Sequence, residues 1–149
     1  MSLEENKAIV RGVIEAENER NYALFDEFLA PDFVNNQLTQ EFRGREIYKQ
    51  GSESFIKGFP DFHGTIEDIT AEGDKVWIRY KGTGTHKGEW LGLAPTGRKI
   101  TMNSLAIYRI VDTKVVEMTV VKDLLDFFKQ IGVIEYTEKG KKLFPEDVK

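Results

Sequence analysis

The sequence predicts an α+β domain, in which N-terminal helices pack on a strongly curved antiparallel sheet and a C-terminal helix closes the fold. Apolar residues in the first third recur at helical spacing, whereas those further along alternate with the period of strands. Regularly spaced turns separate the strands, and no helical stretch lies between them, which is typical of antiparallel sheets. Gly82, Gly84 and Gly88 lie inside one strand and predict bends that curl the sheet.

The first third contains three predicted helices. Ser2 and Glu5 fit a capping box for the first helix, whose apolar stripe comprises Ile9, Val10, Val13 and Ile14. A second short helix carries Tyr22, Phe25, Phe28 and Leu29, and it ends at Ala30-Pro31 because the residue before a proline avoids helical angles. A short extended piece is predicted at Asp32–Gln37. The third helix begins after Gly44, carries Ile47, Tyr48, Phe55 and Ile56, and ends at Gly58 and Pro60.

Four strands and a last helix are predicted in the remainder. The strands are Phe62–Ala71, Lys75–Thr85, Lys99–Val111 and Lys114–Lys122. The last helix starts at Leu124 and places Gly132 at its C′ position. The whole chain, residues 1–149, is predicted to be one domain, with residues 133–149 as a C-terminal extension.

Composition limits the possible functions. The chain has 149 residues, a net charge of −4, no cysteines and only two histidines. This charge gives no electrostatic reason to expect nucleic acid or an anionic membrane as a partner. A metal site is not predicted, because cysteine ligands are absent and histidine ligands are few. No apolar run is long enough to span a membrane and no signal-peptide pattern occurs, so we expect a cytoplasmic protein.

The link between the second and third of these strands is unusually apolar. Trp90, Leu91 and Leu93 lie there among glycines and a proline. They predict either a lid or wall of a ligand pocket, or a subunit interface or core, because exposed apolar patches usually mark such sites. A bent sheet with helices on one face leaves a wedge that suits a small ligand.

Two segments resemble a known family. "FPDFHGTIEDITAEGDKVWIRYKGTGTHKGEWLGLAPTGRKI" (Phe59–Ile100) and "IYRIVDTKVVEMTVVKDLLDFFKQIG" (Ile107–Gly132) resemble the SnoaL-like polyketide cyclases, or ester cyclases. The resemblance covers roughly residues 5–132 and implies the cone-shaped α+β fold of nuclear transport factor 2. It leaves the activity open, because folds of this kind host several enzymes and non-catalytic subunits.

The resemblance implies that Asp123 is a catalytic acid/base. It matches the aspartate that SnoaL-like cyclases are thought to use in an intramolecular aldol closure, for which no cofactor or metal is required. A carboxylate serves as such a base if a dry pocket raises its pKa. Asp123 also lies immediately before "LLDFFKQIG", where an N-cap carboxylate would be held in its charged form. Catalysis and capping therefore both remain open.

Other candidate site residues lie on the strands and the link. Period two places Glu117, Thr119 and Asp123 on one face of a strand, which is either a cavity wall or an exposed surface. His86 matches the family's Thr-His pair and is either a donor to a substrate carbonyl or a structural histidine. Thr119 and Lys122 replace the aromatic residues that the family often has there. The remaining predicted ligand-binding residues are Tyr80, Asn103, Trp90 and Leu93.

Three functions are compatible with this sequence. The first is a cofactor-independent cyclase, isomerase or lyase acting on a small apolar carbonyl compound. The second is a non-catalytic binder of an apolar molecule in the cone, and the third is an interaction module whose pocket is filled by side chains. The resemblance also implies a homodimer formed through the sheet, where Trp77 would cover the open face.

Overall fold

The computed structural model describes residues 2–148. It begins with helix α1 (Leu3–Glu19), whose predicted capping box is confirmed by reciprocal hydrogen bonds between Ser2 and Glu5. The buried stripe of α1 consists of Asn6, Val10, Val13, Ile14 and Ala16. The helix ends at Arg20, which adopts the left-handed conformation with φ 59°.

The remaining elements follow in an order close to the predicted one. The helices are α2 (Phe25–Phe28), α3 (Arg45–Gly58), α4 (Leu124–Gln130) and α5 (Glu138–Leu143), with short 3₁₀ turns at Tyr22–Leu24 and Pro145–Val148. The strands are β1 (Leu29–Asn36), β2 (Glu41–Arg43), β3 (His63–Glu72), β4 (Lys75–Thr85), β5 (Lys99–Val111) and β6 (Lys114–Lys122). The predicted second helix thus ends before Leu29, which already has extended angles.

The six strands form one sheet in the order β2-β1-β6-β5-β4-β3. All neighbouring pairs are antiparallel except β1 and β6, which run parallel. The antiparallel arrangement predicted for the four strands β3 to β6 is confirmed, whereas the segment predicted as a short extended piece joins the sheet as β1 and makes it mixed. A parallel pair requires a long crossover, and here the chain from β2 to β5 supplies it. Pro31 lies in an irregular part of the β1–β6 register, where a missing backbone donor is tolerated.

Two buried clusters hold the helices on the inner face of the sheet. The larger joins the stripe of α1 to Phe25, Leu29 and Phe33 and to the inward-facing residues of β4, β5 and β6. The smaller is formed by Phe59, Ile100, Met102, Phe127 and Ile131 and joins α3 and α4 to the other end of the sheet. Burial of this apolar surface is the main force that stabilises the fold.

The C-terminal segment packs against α4 through Lys129. Its ammonium lies 2.8 Å from the Asp147 carboxylate and 4.7 Å from the centre of the Phe144 ring. The Tyr136 hydroxyl donates to the same carboxylate at 3.0 Å. Gly132 follows α4 with φ 75°, as predicted for its C′ position. Among residues 2–148, no helix combines the length and apolar character needed to cross a membrane.

Candidate functional site

A pocket of about 390 Å³ lies between the helices and the inner face of the sheet. Helices α1 and α3 form one wall, strands β4, β5 and β6 form the other, and Trp90 and Leu91 of the link border it. Most of its lining is apolar, including Ile14, Phe55, Ile78, Met118 and Val120. Mostly apolar pockets of this size with a few polar groups suit small organic ligands.

One row of the sheet brings three polar side chains to this pocket. In the register of the strands, Tyr80 lies opposite Ser104, and Ser104 lies opposite Lys122. All three residues line the pocket. Because side chains alternate between the faces of a sheet, this row shares the inner face with the apolar rows beside it. Burial raises the pKa of the Tyr80 hydroxyl, so this group remains a hydrogen-bond donor at neutral pH.

A carboxyl group faces this row from helix α1. Glu17 lines the pocket, and the Tyr48 hydroxyl donates a hydrogen bond of 2.5 Å to its Oε1. Desolvation in the pocket raises the pKa of Glu17 above its ordinary value of 4.5, although the Tyr48 hydrogen bond and the charge of Lys122 act in the opposite direction. Burial and the neighbouring Glu17 charge raise the pKa of Tyr48 well above 10.0, which keeps the phenol protonated.

Tyr48 is itself held by two aromatic neighbours, one from α2 and one from β1. Its ring centre lies 5.2 Å from that of Phe33 and 5.5 Å from that of Phe25. Both phenylalanines are buried in the larger cluster. The hydroxyl that orients Glu17 is therefore positioned by the core.

Lys122 is the basic group of the row. Burial lowers the pKa of its ammonium below the ordinary 10.5, and the charge of Glu17 opposes this shift. Lys122 takes part in none of the ion pairs formed by residues 2–148. Its amine is thus partly desolvated and unpaired within the described chain.

Further polar groups border the pocket. The Oδ1 of Asn35 and the hydroxyl of Tyr22 are buried and make no hydrogen bond within residues 2–148. The guanidinium of Arg20 donates hydrogen bonds to the backbone carbonyls of Pro60 and Phe62, so Arg20 has a structural role. Asn35 and Tyr22 therefore add two polar groups that can bond a ligand to the row of Tyr80, Ser104 and Lys122.

Trp90 fits both interpretations of the link, because it is a wall of the pocket and also packs in the core. It lines the pocket, and its ring lies 5.5 Å from Phe127 and 5.7 Å from Phe59 in edge-on arrangements. The link turns tightly at Leu91 and Gly92, which have φ values of 49° and 80°. Trp90 and Leu93 exchange backbone hydrogen bonds of 3.0 and 2.9 Å across this turn. Trp90 is thus a pocket wall fixed in the smaller core cluster.

Leu93 was predicted to bind a ligand, but it is not among the residues that line the pocket. Its side chain packs against the smaller cluster beside Trp90. The turn at Leu91 and Gly92 reverses the chain, so Leu91 instead borders the pocket while remaining 77% exposed.

His86 is fully buried and lies outside the pocket lining. Its ring stacks on Phe59 at 5.0 Å, and its Nδ1 accepts from the Thr96 backbone N–H at 3.3 Å. Its Nε2 has no hydrogen-bond partner within residues 2–148. The ring therefore connects the two ends of the link, and its catalytic role stays a prediction.

Asp123 is exposed and also lies outside the pocket lining. Its carboxylate accepts from the Asp126 backbone N–H at 3.1 Å, which is the N-cap interaction of α4. The backbone N–H of Asp123 donates to the backbone carbonyl of Asn103 at 3.0 Å. The structure thus shows the capping interaction, while the predicted catalytic role is untested.

Glu117, Thr119 and Asn103 face away from the pocket, contrary to the expectation that they bind a ligand. In the strand register, Glu117 lies opposite Arg109 and Thr119 lies opposite Ile107, with Asn103 in the outer row of Lys81. The inward-facing residues of β6 are Met118, Val120 and Lys122. The shared face of Glu117 and Thr119 was predicted correctly, but it is the outer face of the sheet.

The expectation that Glu117 and Thr119 of β6 face a ligand failed for a physical reason. Valines occupy both faces of this strand, at positions 115, 116, 120 and 121, so alternation does not identify the buried face. Glu17 was missed although it lies four residues after Val13 and three after Ile14, on the buried stripe of α1. A charged residue continuing an apolar stripe is the signal that would have indicated it.

The chain is similar to known cyclases in sequence. A family model described as SnoaL-like polyketide cyclase matches residues 7–131. Aklanonic acid methyl ester cyclase from Streptomyces peucetius is 27% identical over 137 residues, which span 89% of this chain and 94% of that protein.

Solved structures are also similar. AclR, a candidate hydroxylase from Streptomyces galilaeus, has a TM-score of 0.80 and 30% identity, covering 90% of this chain and 100% of AclR. IdmH, a candidate polyketide cyclase from Streptomyces antibioticus, has a TM-score of 0.75 and 29% identity, covering 85% of this chain and 98% of IdmH. These likenesses confirm the predicted cone-shaped α+β fold, and the match over most of its length shows that the chain belongs to the SnoaL-like polyketide cyclase family.

Proposed function

We propose that the protein catalyses a cofactor-independent intramolecular aldol cyclisation of a polyketide-like carbonyl compound. The observation that carries this proposal is the Glu17–Tyr48 pair, a carboxyl of raised pKa that faces an apolar pocket of about 390 Å³. A desolvated carboxylate is a stronger base than one in water, and its conjugate acid is available to return the proton. The family relationship supports the same class of chemistry.

In this mechanism Glu17 removes a proton from a carbon activated by a neighbouring carbonyl. The electron pair of the C–H bond becomes the enolate, whose oxygen is stabilised by the polar row of Tyr80, Ser104 and Lys122. The enolate carbon then attacks a second carbonyl carbon of the same molecule, and a C–C bond forms. The resulting alkoxide takes the proton from Glu17, so the product is an isomer of the substrate.

Tyr48 is a positioning residue for this base. Its hydroxyl donates to Oε1 of Glu17, which fixes the carboxyl and leaves Oε2 for the substrate. A fixed carboxylate loses less rotational freedom when the substrate binds, which contributes to the rate.

The test compares two carboxylates on one substrate. Aklanonic acid methyl ester, the compound named for the relatives, is incubated with wild-type protein, with Glu17→Gln and with Asp123→Asn. We expect a product of unchanged mass and altered retention from the wild type. Glu17→Gln should lower the rate by roughly 10²–10⁴-fold, the usual contribution of a general acid–base group. Asp123→Asn should retain the rate, because asparagine caps a helix about as well.

Three outcomes contradict this assignment. Loss of turnover in Asp123→Asn with retention in Glu17→Gln would return the role of base to Asp123, as the family resemblance implies. A product heavier by one oxygen atom would indicate hydroxylation, the activity considered for AclR. Thermal stabilisation by the compound without conversion would favour a non-catalytic binder of apolar molecules, with the same pocket as its site.

We also propose that the protein forms a homodimer through the outer face of the sheet. Trp77, Leu105 and Val121 lie on this face with exposures of 48%, 57% and 52%. The outer row of Arg109 and Glu117 carries both signs of charge, so two copies in opposite orientation would pair unlike charges. Apolar surface bordered by complementary charges is typical of an interface between identical chains.

A further inference from the structure

Lys122 has no evident structural purpose. It ends β6 on the inner face of the sheet, where the flanking inward positions hold Met118 and Val120. Its amine forms no ion pair and no side-chain hydrogen bond within residues 2–148. A lysine that only supported the fold would be expected to reach a carboxylate or extend into solvent.

The surroundings of Lys122 favour its neutral amine. Burial is the largest influence on its pKa and lowers it, whereas the Glu17 carboxylate raises it. Tyr80, Tyr108 and Arg20 also line this pocket. Burial raises the pKa values of both tyrosines, so they remain uncharged phenols. Arg20 bonds backbone carbonyls of the segment after α3 and provides a second positive charge at the pocket wall. Desolvated lysines in apolar pockets are typical nucleophiles toward carbonyl compounds.

We infer that Lys122 binds carbonyl ligands covalently, as an imine on its Nζ. The inference rests on the proposed function, because it assumes that the pocket receives a carbonyl compound. In this extended mechanism, Lys122 acts as a nucleophile alongside the acid/base group Glu17. An enamine formed from the imine would take the place of the enolate in the ring closure.

The step balances with Glu17 as the carrier of protons. The amine nitrogen attacks the carbonyl carbon, a C–N bond forms, and the carbonyl oxygen takes a proton from the Glu17 carboxylic acid. The nitrogen gives a proton to the resulting carboxylate. The C–O bond then breaks, the oxygen leaves as water with the proton returned by Glu17, and the second nitrogen proton is lost to the carboxylate as the neutral imine forms. No oxidant, reductant or cofactor is involved.

An aromatic 1,3-diketone is a suitable probe for this amine. With 1-phenyl-1,3-butanedione, the imine shifts a proton from the central carbon to nitrogen and becomes a stable conjugated enaminone. The protein therefore gains the mass of the probe minus one water. Intact-mass spectrometry detects the adduct, and peptide mapping locates it.

The experiment uses the full chain, with Lys122→Met and Lys81→Met as matched variants. Lys81 is an exposed lysine of β4 on the outer face, in register with Asn103. Methionine at 122 suits the apolar neighbours Met118 and Val120, and the thermal unfolding of both variants is measured as a control for folding. Noncovalent binding is followed separately by quenching of Trp90 fluorescence in a Trp77→Phe background.

The expected result is one adduct on Lys122 of the wild-type chain, which is kept in Lys81→Met and lost in Lys122→Met. Fluorescence quenching without an adduct would overturn the imine and leave the carbonyl-binding pocket intact. Adducts spread over exposed lysines, unchanged in Lys122→Met, would overturn it as well. Absence of both quenching and adduct would overturn the imine together with the proposal that the pocket binds carbonyl compounds of this kind.

Discussion

At the scale of single residues, the chemistry that we propose for the pocket depends on two partly desolvated ionisable groups. Glu17 and Lys122 face the same space from a helix and a strand, and each shifts the pKa of the other toward its charged form. Desolvation acts against both charges. The carboxyl therefore gains proton affinity and the amine loses it, and both shifts favour the roles of base and nucleophile that we propose for these two groups.

This opposition predicts how the stability of Lys122→Met depends on pH. The folded-state pKa of Lys122 is lowered from 10.5, so between these two pKa values the folded protein binds fewer protons at Lys122 than the unfolded chain. Stability is therefore lost as the pH falls from 10.5 toward the folded-state pKa. Lys122→Met removes this loss. Its free energy of unfolding, measured in urea, should exceed that of the wild type most at neutral pH, and the difference should shrink toward 10.5. A difference that is constant with pH, or the same in Lys81→Met, would contradict the burial of this amine.

Part of the site could be predicted from single residues. Tyr80 and Trp90 both line the pocket, Tyr80 because it alternates with buried Ile78, and Trp90 in agreement with one of the two interpretations of the apolar link. Glu17 and Lys122 were not predicted as site residues. Glu17 continues the apolar stripe of α1, a signal that the prediction did not use, whereas the inward face of β6 cannot be identified from local sequence because valines occupy both faces of this strand.

At the scale of elements, the link between β4 and β5 is anchored to the end of α3. The N–H groups of Lys87 and Gly88 both donate to the carbonyl of Gly58 at 3.0 Å. A Cβ on Gly88 would collide with the carbonyl oxygen of Lys57. Only glycine permits this close approach of two backbones, and it holds Trp90 in the pocket wall.

Gly88→Ala is therefore expected to destabilise the protein by about 1–3 kcal/mol, the usual cost of forcing extra volume into a packed site. The matched control is Gly51→Ala in α3, where an added Cβ meets nothing within 4 Å. That variant should be more stable by about 0.5–1 kcal/mol, since alanine favours helices over glycine. Urea unfolding followed by tryptophan fluorescence measures both changes. Equal stabilities of Gly88→Ala and wild type would contradict the tight contact with Lys57.

Most elements could be predicted from local patterns. The bounds of β4, β5 and β6 agree with those expected, because each strand alternates and ends at a clear turn. The parallel pairing of β1 and β6 was not predicted, since it joins segments separated by most of the chain. Such long-range pairing depends on packing across the fold and leaves no local mark in the sequence.

At the scale of the whole molecule, the two faces of the sheet differ in what covers them. The inner face carries the pocket, whereas the outer face of β4, β5 and β6 exposes the apolar surface on which we propose that a second copy of the chain binds. Leu105 lies centrally on this face, opposite Arg79 and Val121 in the strand register.

Leu105→Arg should convert the proposed dimer to a monomer, because a buried unpaired charge at an interface is costly. Sedimentation velocity measures the change in mass. The control is Leu143→Arg, an equally drastic change at a leucine of α5 that is 76% exposed. A wild-type chain that sediments as a monomer would contradict the dimer, as would an unchanged dimer in Leu105→Arg.

The central claim is that Glu17, enclosed by the pocket and bonded by Tyr48, is the acid/base group of this protein. A carbon-detected NMR titration of its side-chain carboxyl tests this most directly, with Glu17→Gln used to assign the signal. We predict a midpoint clearly above the ordinary value of 4.5 in the ligand-free protein. A midpoint at or below 4.5 would show a solvated or strongly paired carboxylate, and it would contradict the role of Glu17 as the base.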